Sequence, residues 1–247
     1  MIKIFRKIRQ KMLIEDKFSK YLIYAFGEIF LVVIGILIAL QINNWNEKRV
    51  NHKKAISLLS EMIVDLKTDT ATFNKTINAY ADRQLVKEQL LLMTDFSNEP
   101  VEDLMEMLVV YVSISTVNDN TYQKIKNLGI TNLIKDAGLL NKINQYYVQE
   151  KAVNDGFVTW GLEAGKIDSD YWTYEQDIFE SNEPGKFPLF QDEKENRKNL
   201  IKLITSIKVR NMLIDQYRRK QLQIEQLENM NENATKLIHE IEKSVRS

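Results

Sequence analysis

The sequence predicts an all-α protein: an N-terminal single transmembrane helix followed by an antiparallel helical bundle with two long helices and several short ones. Three observations lead there. Glycine and proline are scarce, 8 and 3 in 247 residues, so few positions interrupt a helix. Apolar residues return every three or four positions over residues 45–93 and again over 193–245. The stretch "YAFGEIFLVVIGILIALQINNWNE", residues 24–47, has the apolarity of a bilayer span although it carries Glu28. The expected division is a basic amphipathic cytoplasmic segment at 1–20, a transmembrane helix at 21–44, and an extracytoplasmic helical domain at 45–247.

Residues 1–20 hold seven lysines and arginines against Glu15 and Asp16. From residue 43 onward there are 27 basic and 31 acidic residues. A cationic head before a nearly neutral body suits an anionic lipid surface beside the first segment. The overall balance, 34 basic against 34 acidic, gives no footprint for nucleic acid. In "MIKIFRKIRQKML" the residues Ile4, Phe5, Ile8 and Met12 recur at helical spacing, as in a helix lying on the inner leaflet. A merely basic flank has the same composition.

The charge-free run 29–40 is twelve residues, short for roughly 30 Å of hydrocarbon. Extension through "YLIYAFG" before it and "QI" after it reaches the ~20 residues a span needs. Tyr21 and Tyr24 at one end and Trp45 at the other are placed as interfacial aromatics. No small-x-small cleavage site follows Leu40, which favours a retained anchor over a cleaved signal peptide; a buried soluble helix is the third reading. Seven basic residues precede the span, and Lys48, Arg49, Lys53 and Lys54 follow it. That bias keeps the N-terminus cytoplasmic and exports the body to the periplasm, across the inner membrane. At ~100° per residue Glu28, Gly35, Ala39 and Asn46 share one helix face, polar and small, opposite isoleucine and leucine. Two readings stand: an intramembrane contact with a second helix, or a carboxylate shallow enough to reach the interface.

The motif "FRKIRQ" followed by "KYLIYAFGEIFLVVIGILIALQINNWNE" resembles the N-terminal signature of an uncharacterised family of single-pass membrane proteins from Bacteroidota, a domain of unknown function. "NTYQKIKNLGITNLIKDAGLLNKINQYY", residues 120–147, is similar to the family's second block. The resemblance implies a membrane-anchored helical protein and brings no activity or catalytic residue with it.

Beyond the span, Ile56, Leu59, Ile63, Leu66, Thr70, Phe73, Ile77 and Tyr80 keep a helical beat with no glycine or proline between Gly35 and Pro100. One helix over about 45–93, continuous with the span, is the simplest account. "DFSNEPVEDLMEMLVVYV" stops and restarts it, with Ser97 or Asn98 as cap, Pro100 in the first turn and a helix over about 100–116. Another cap and short helix follow, with Gly129 as the stop, and then one or two helices. Residues 165–192 contain two of the three prolines and many aromatics, and read as a loop or short-helix excursion. Tyr171, Trp172 and Tyr174 within it are the candidate interaction surface for a peptide, glycan or protein; the same residues can instead plug the loop onto the core.

No pattern singles out a catalytic residue, cofactor or metal ligand. His52 and His239 stand far apart in sequence, and "DSDYWTYEQD" lacks the glycine a calcium loop requires. With no cysteine there is no thiolate nucleophile. The expectation is therefore a non-enzymatic periplasmic scaffold or accessory subunit of a membrane complex. The alternative is an extracytoplasmic sensor or ligand binder that signals through a partner. Expected partners are the lipid bilayer and, through the transmembrane helix, a second copy or another membrane protein.

Overall fold

The computed structural model describes residues 18–129, 134, 136–182 and 186–246. The expectation for the basic segment falls almost wholly outside them, as do the side chains of Tyr21 and Tyr24. Every regular element among the described residues is helical. In chain order these are α1 (Phe18–Leu92), α2 (Val101–Leu108), α3 (Asn120–Asn127), α4 (Ala137–Asn144), α5 (Lys151–Asp170), α6 (Glu193–Ile204) and α7 (Ile207–Arg246). Wider π-helical turns, Gln145–Glu150 and Tyr171–Glu175, join α4 to α5 and extend α5. The chain divides into two compact units, Met1–Ile56 and Ser57–Ser247, and the 75-residue helix α1 passes through both.

In the first unit α1 is apolar around its circumference. Ile23, Phe30, Leu31, Ile36 and Leu40 are all more than half exposed. A window of 18 residues has mean hydropathy 2.4 with none of it buried. By length and composition this helix can cross a membrane. Trp45 closes the stretch, with the Arg49 guanidinium 5.5 Å from its ring centre.

In the second unit α1 buries one narrow stripe. Ala55 at the unit boundary leads into Leu59, Met62, Leu66, Asp69, Phe73, Thr76, Tyr80, Lys87 and Leu90, spaced by three and four except where half-buried Arg83 fills the gap. The stripe on α7 follows the same rule: Val209, Leu213, Gln216, Gln223, Leu227, Met230, Ala234, Leu237 and Ile241, with half-buried Lys220 in register. Alternating three–four spacing is the seam of helices that pack nearly parallel or antiparallel. Antiparallel is what the cross-contacts show. Arg210 donates to the Leu91 carbonyl, Asn231 to Asn74, and Lys67 pairs with Glu242.

Two apolar cores result. One gathers Leu66, Phe73, Ile143, Tyr146, Met230 and Ile241; the other gathers Leu90, Leu104, Leu200, Ile204, Val209 and Leu213.

Four expectations change. The helix after Pro100 ends at Leu108, not near 116, and residues 109–119 run without helix. Pro100 is itself the residue before the first turn, and neither Ser97 nor Asn98 caps it. Helix persists through Glu175, so the irregular excursion starts at Gln176 rather than 165. The last long helix breaks at Thr205 and Ser206, whose hydroxyls bond carbonyls of the preceding turn. Gly129 ends α3 as expected, at φ +65°, the left-handed conformation glycine adopts without strain.

Candidate functional site: a buried polar layer between two apolar cores

An extended segment inside a helical bundle must find partners for its backbone groups outside any helix. The polar members of the α1 stripe supply them to residues 109–121. Lys87 Nζ donates to the carbonyl of Met107 at 2.6 Å, just before the segment begins. The Tyr80 hydroxyl donates to the Ser113 carbonyl at 3.1 Å and accepts from the Ser113 amide at 3.0 Å. Thr76 and Ser115 hydroxyls lie 2.6 Å apart, and Asn154 on α5 donates to the Ser115 carbonyl at 2.8 Å. Asp69 accepts from the Asn118 amide at 2.8 Å and from the Tyr146 hydroxyl at 3.3 Å. Asp65 takes the Thr121 amide at 3.0 Å and so caps α3 from a distance of 56 residues, whereas the local Asp119 makes no such bond. Burial pushes the Asp69 carboxyl up to about 6, against the lowering effect of those two hydrogen bonds.

Where the stripes of α1 and α7 pass between the two cores, both turn polar. Arg83 and Lys87 on α1 meet Gln216, Arg219, Lys220 and Gln223 on α7 around a small cavity of about 20 Å³. Two close approaches shape its remaining wall. A Cβ on Gly161 would stand 2.2 Å from Gln223 Nε2, and one on Gly165 2.5 Å from Val112 Cγ2, so both glycines of α5 let its backbone come close. Asp168, on the same helix, is buried and pairs with Arg219, which also reaches the exposed Asp215. Burial raises the Asp168 carboxyl despite the guanidinium beside it.

Neither lysine has a carboxylate ligand among the described contacts. Lys87 is held by a carbonyl; Lys220 donates to Gln223 Oε1 at 3.0 Å and sits 3.9 Å from the Tyr80 ring centre. Burial pushes each down to about 8. Gln216 is only 5 % exposed, and neither end of its amide makes a hydrogen bond of normal geometry, although it lies near enough to favour the ionised Asp168.

The residues singled out from sequence fall elsewhere. Glu28 is half-buried; Gly35, Ala39 and Asn46 are exposed, Gly35 has open space around it, and Asn46 accepts from Arg49 at 3.1 Å. Tyr171 is buried and Trp172 half-buried against the second core, while Tyr174 is 80 % exposed. The Tyr171 and Trp172 rings meet edge to face, 5.4 Å between centres. Exposed Phe187 and Phe190 lie in the irregular segment that follows. Apolar periodicity does not mark the polar layer, because it skips polar positions. Carrying the three–four register of α7 through Gln216, Lys220 and Gln223 instead of around them is the signal that finds it.

Residues 28–123 match the model of a family of unknown function (DUF6090), in keeping with the uncharacterised family that the sequence resembles. The match takes in the apolar stretch from Glu28, the whole α1 stripe and the extended segment. No curated protein and no solved structure is significantly similar to the chain.

Proposed function

We propose that the chain is a membrane-anchored, non-enzymatic scaffold or accessory subunit whose helical domain lies on the periplasmic side of the inner membrane. The observation that carries the reading is the apolar first half of α1, exposed on every face over a window of mean hydropathy 2.4. In water that surface is unfavourable by roughly 25 cal/mol per Å²; lipid or another apolar helix removes the penalty. The excess of basic residues before the span supports a cytoplasmic N-terminus. The face of Glu28, Gly35, Ala39 and Asn46 is where a second copy or a membrane partner docks. Photo-crosslinkers at Gly35 and Ala39 in native membranes test this: a trapped dimer or defined heteromer is expected, and exclusively monomeric products contradict it.

A groove of about 360 Å³ favours a second reading, the extracytoplasmic ligand binder. Its lining mixes Met105, Phe179 and Leu189 with the charged Glu102, Glu193 and Arg197, beside the aromatic excursion. A purified domain that retains a small molecule there, identified by native mass spectrometry, would replace the scaffold reading with this one.

A further inference from the structure

We infer that the cavity between the two apolar cores is a binding site for a small monovalent anion of halide size. Among the described residues four cationic side chains, Arg83, Lys87, Arg219 and Lys220, line it, and no carboxylate does. The buried acid Asp168 bonds Arg219 and reaches Lys87 and Lys220 only through space, without a hydrogen bond to either. Two largely buried ammonium groups are left with only neutral ligands: a carbonyl for Lys87, and an amide oxygen and a ring face for Lys220. Buried charge is strongly unfavourable unless an opposite charge accompanies it. The Gln216 amide is buried and lies near Asp168 without a well-formed hydrogen bond; it lines the same space, and its NH2 has two N–H groups, one of which can serve an anion.

Size decides the class. A cavity of about 20 Å³ exceeds the roughly 10–15 Å³ that one water-sized occupant needs, and it is too small for phosphate or an organic acid. The Gly161 and Gly165 contacts keep it small, since the α5 backbone closes that side. The competing occupant is a water molecule, which would satisfy the same donors without neutralising them.

Thermal melting of the detergent-solubilised full chain tests the assignment, with sodium chloride or bromide replacing sodium gluconate at constant ionic strength. The melting temperature should climb with halide and level off, by roughly 3–6 °C at about ten times the dissociation constant. Lys220→Met and Lys87→Met should each flatten that response. Crystals grown in bromide should show an anomalous peak among Lys87, Lys220 and Gln216. Identical melting in halide and gluconate overturns the proposal, as does an undiminished halide response in Lys220→Met or a bromide-grown crystal with no peak in the cavity. The wild-type comparison and the bromide experiment decide the matter even where a lysine variant fails to fold.

Discussion

The two halves of α1 are one unbroken helix with two different surfaces. Over residues 22–50 its leucines, isoleucines and valines point in every direction and almost all are exposed. Over residues 57–92 only one stripe is buried, and that stripe includes Asp69, Thr76 and Lys87. Apolarity all round thus gives a helix long and apolar enough to cross a membrane, whereas a narrow seam carrying polar groups marks one that packs against specified neighbours. The lesson is that burial in the second half is selective. It admits a polar group wherever a backbone or side-chain partner waits.

Breaking the comparison at its most extreme point should have the largest effect. Leu37→Arg places a charge within the apolar half, where insertion scales charge about 2.5–3.5 kcal/mol, and the variant should lose resistance to alkaline extraction from membranes. Leu92→Arg, at a leucine even more exposed in the second half, should extract and melt like wild type, within about 0.5 kcal/mol.

Next comes Asp69. Asp69→Ala strips the Asn118 amide and Tyr146 hydroxyl of their acceptor and should cost about 2–3 kcal/mol in denaturant unfolding. Asp69→Asn keeps an acceptor without the charge. Because the folded carboxyl is raised to about 6, the native state holds its proton more tightly than the unfolded chain does. The associated stabilisation is complete below the unfolded value near 4 and lost as pH rises through 6. Asp69→Asn should therefore gain on wild type between pH 4 and 7, with Asp65, Asp119, Tyr146 and Tyr147 the other titratable groups facing the site.

The lysines run the other way. Lys87 and Lys220 titrate near 8 when folded and near 10.5 when unfolded, so over that window the unfolded chain holds more protons. Stability should rise by a few degrees of melting temperature from pH 8 toward 10, and the rise should shrink in Lys87→Met. Arg83, Asp168, Arg219 and the Tyr80 hydroxyl, itself raised by burial, are the charged or titratable groups around them.

The smallest effect separates two glycines. Gly165→Ala meets the short branched side chain of Val112 and should lose about 1 kcal/mol. Gly161→Ala meets only the flexible end of Gln223, and the helix propensity it gains should leave it near neutral.

Much of this fold was legible in the sequence because helices announce themselves by spacing. The continuity of α1, the stop at Gly129 and the long return helix all follow from local chemistry. Residues 109–119 did not, because "VVYVSISTVND" continues a plausible helical pattern. What holds it extended is remote: Tyr80, Thr76, Asp69 and Asn154 satisfy its backbone and side chains from other elements. Asp168 was visible only as part of a calcium-like run, and its actual partner, Arg219, lies 51 residues away. Tertiary pairing of that kind leaves no mark on local periodicity.

The absence of cysteine permits the most direct test of the contrast along α1, since single cysteines report without background. Leu37→Cys and Leu85→Cys both sit at exposed positions of the same helix. A membrane-impermeant maleimide applied to spheroplasts should label Leu85→Cys and leave Leu37→Cys unlabelled until detergent is added. Equal labelling of both before detergent would contradict the account.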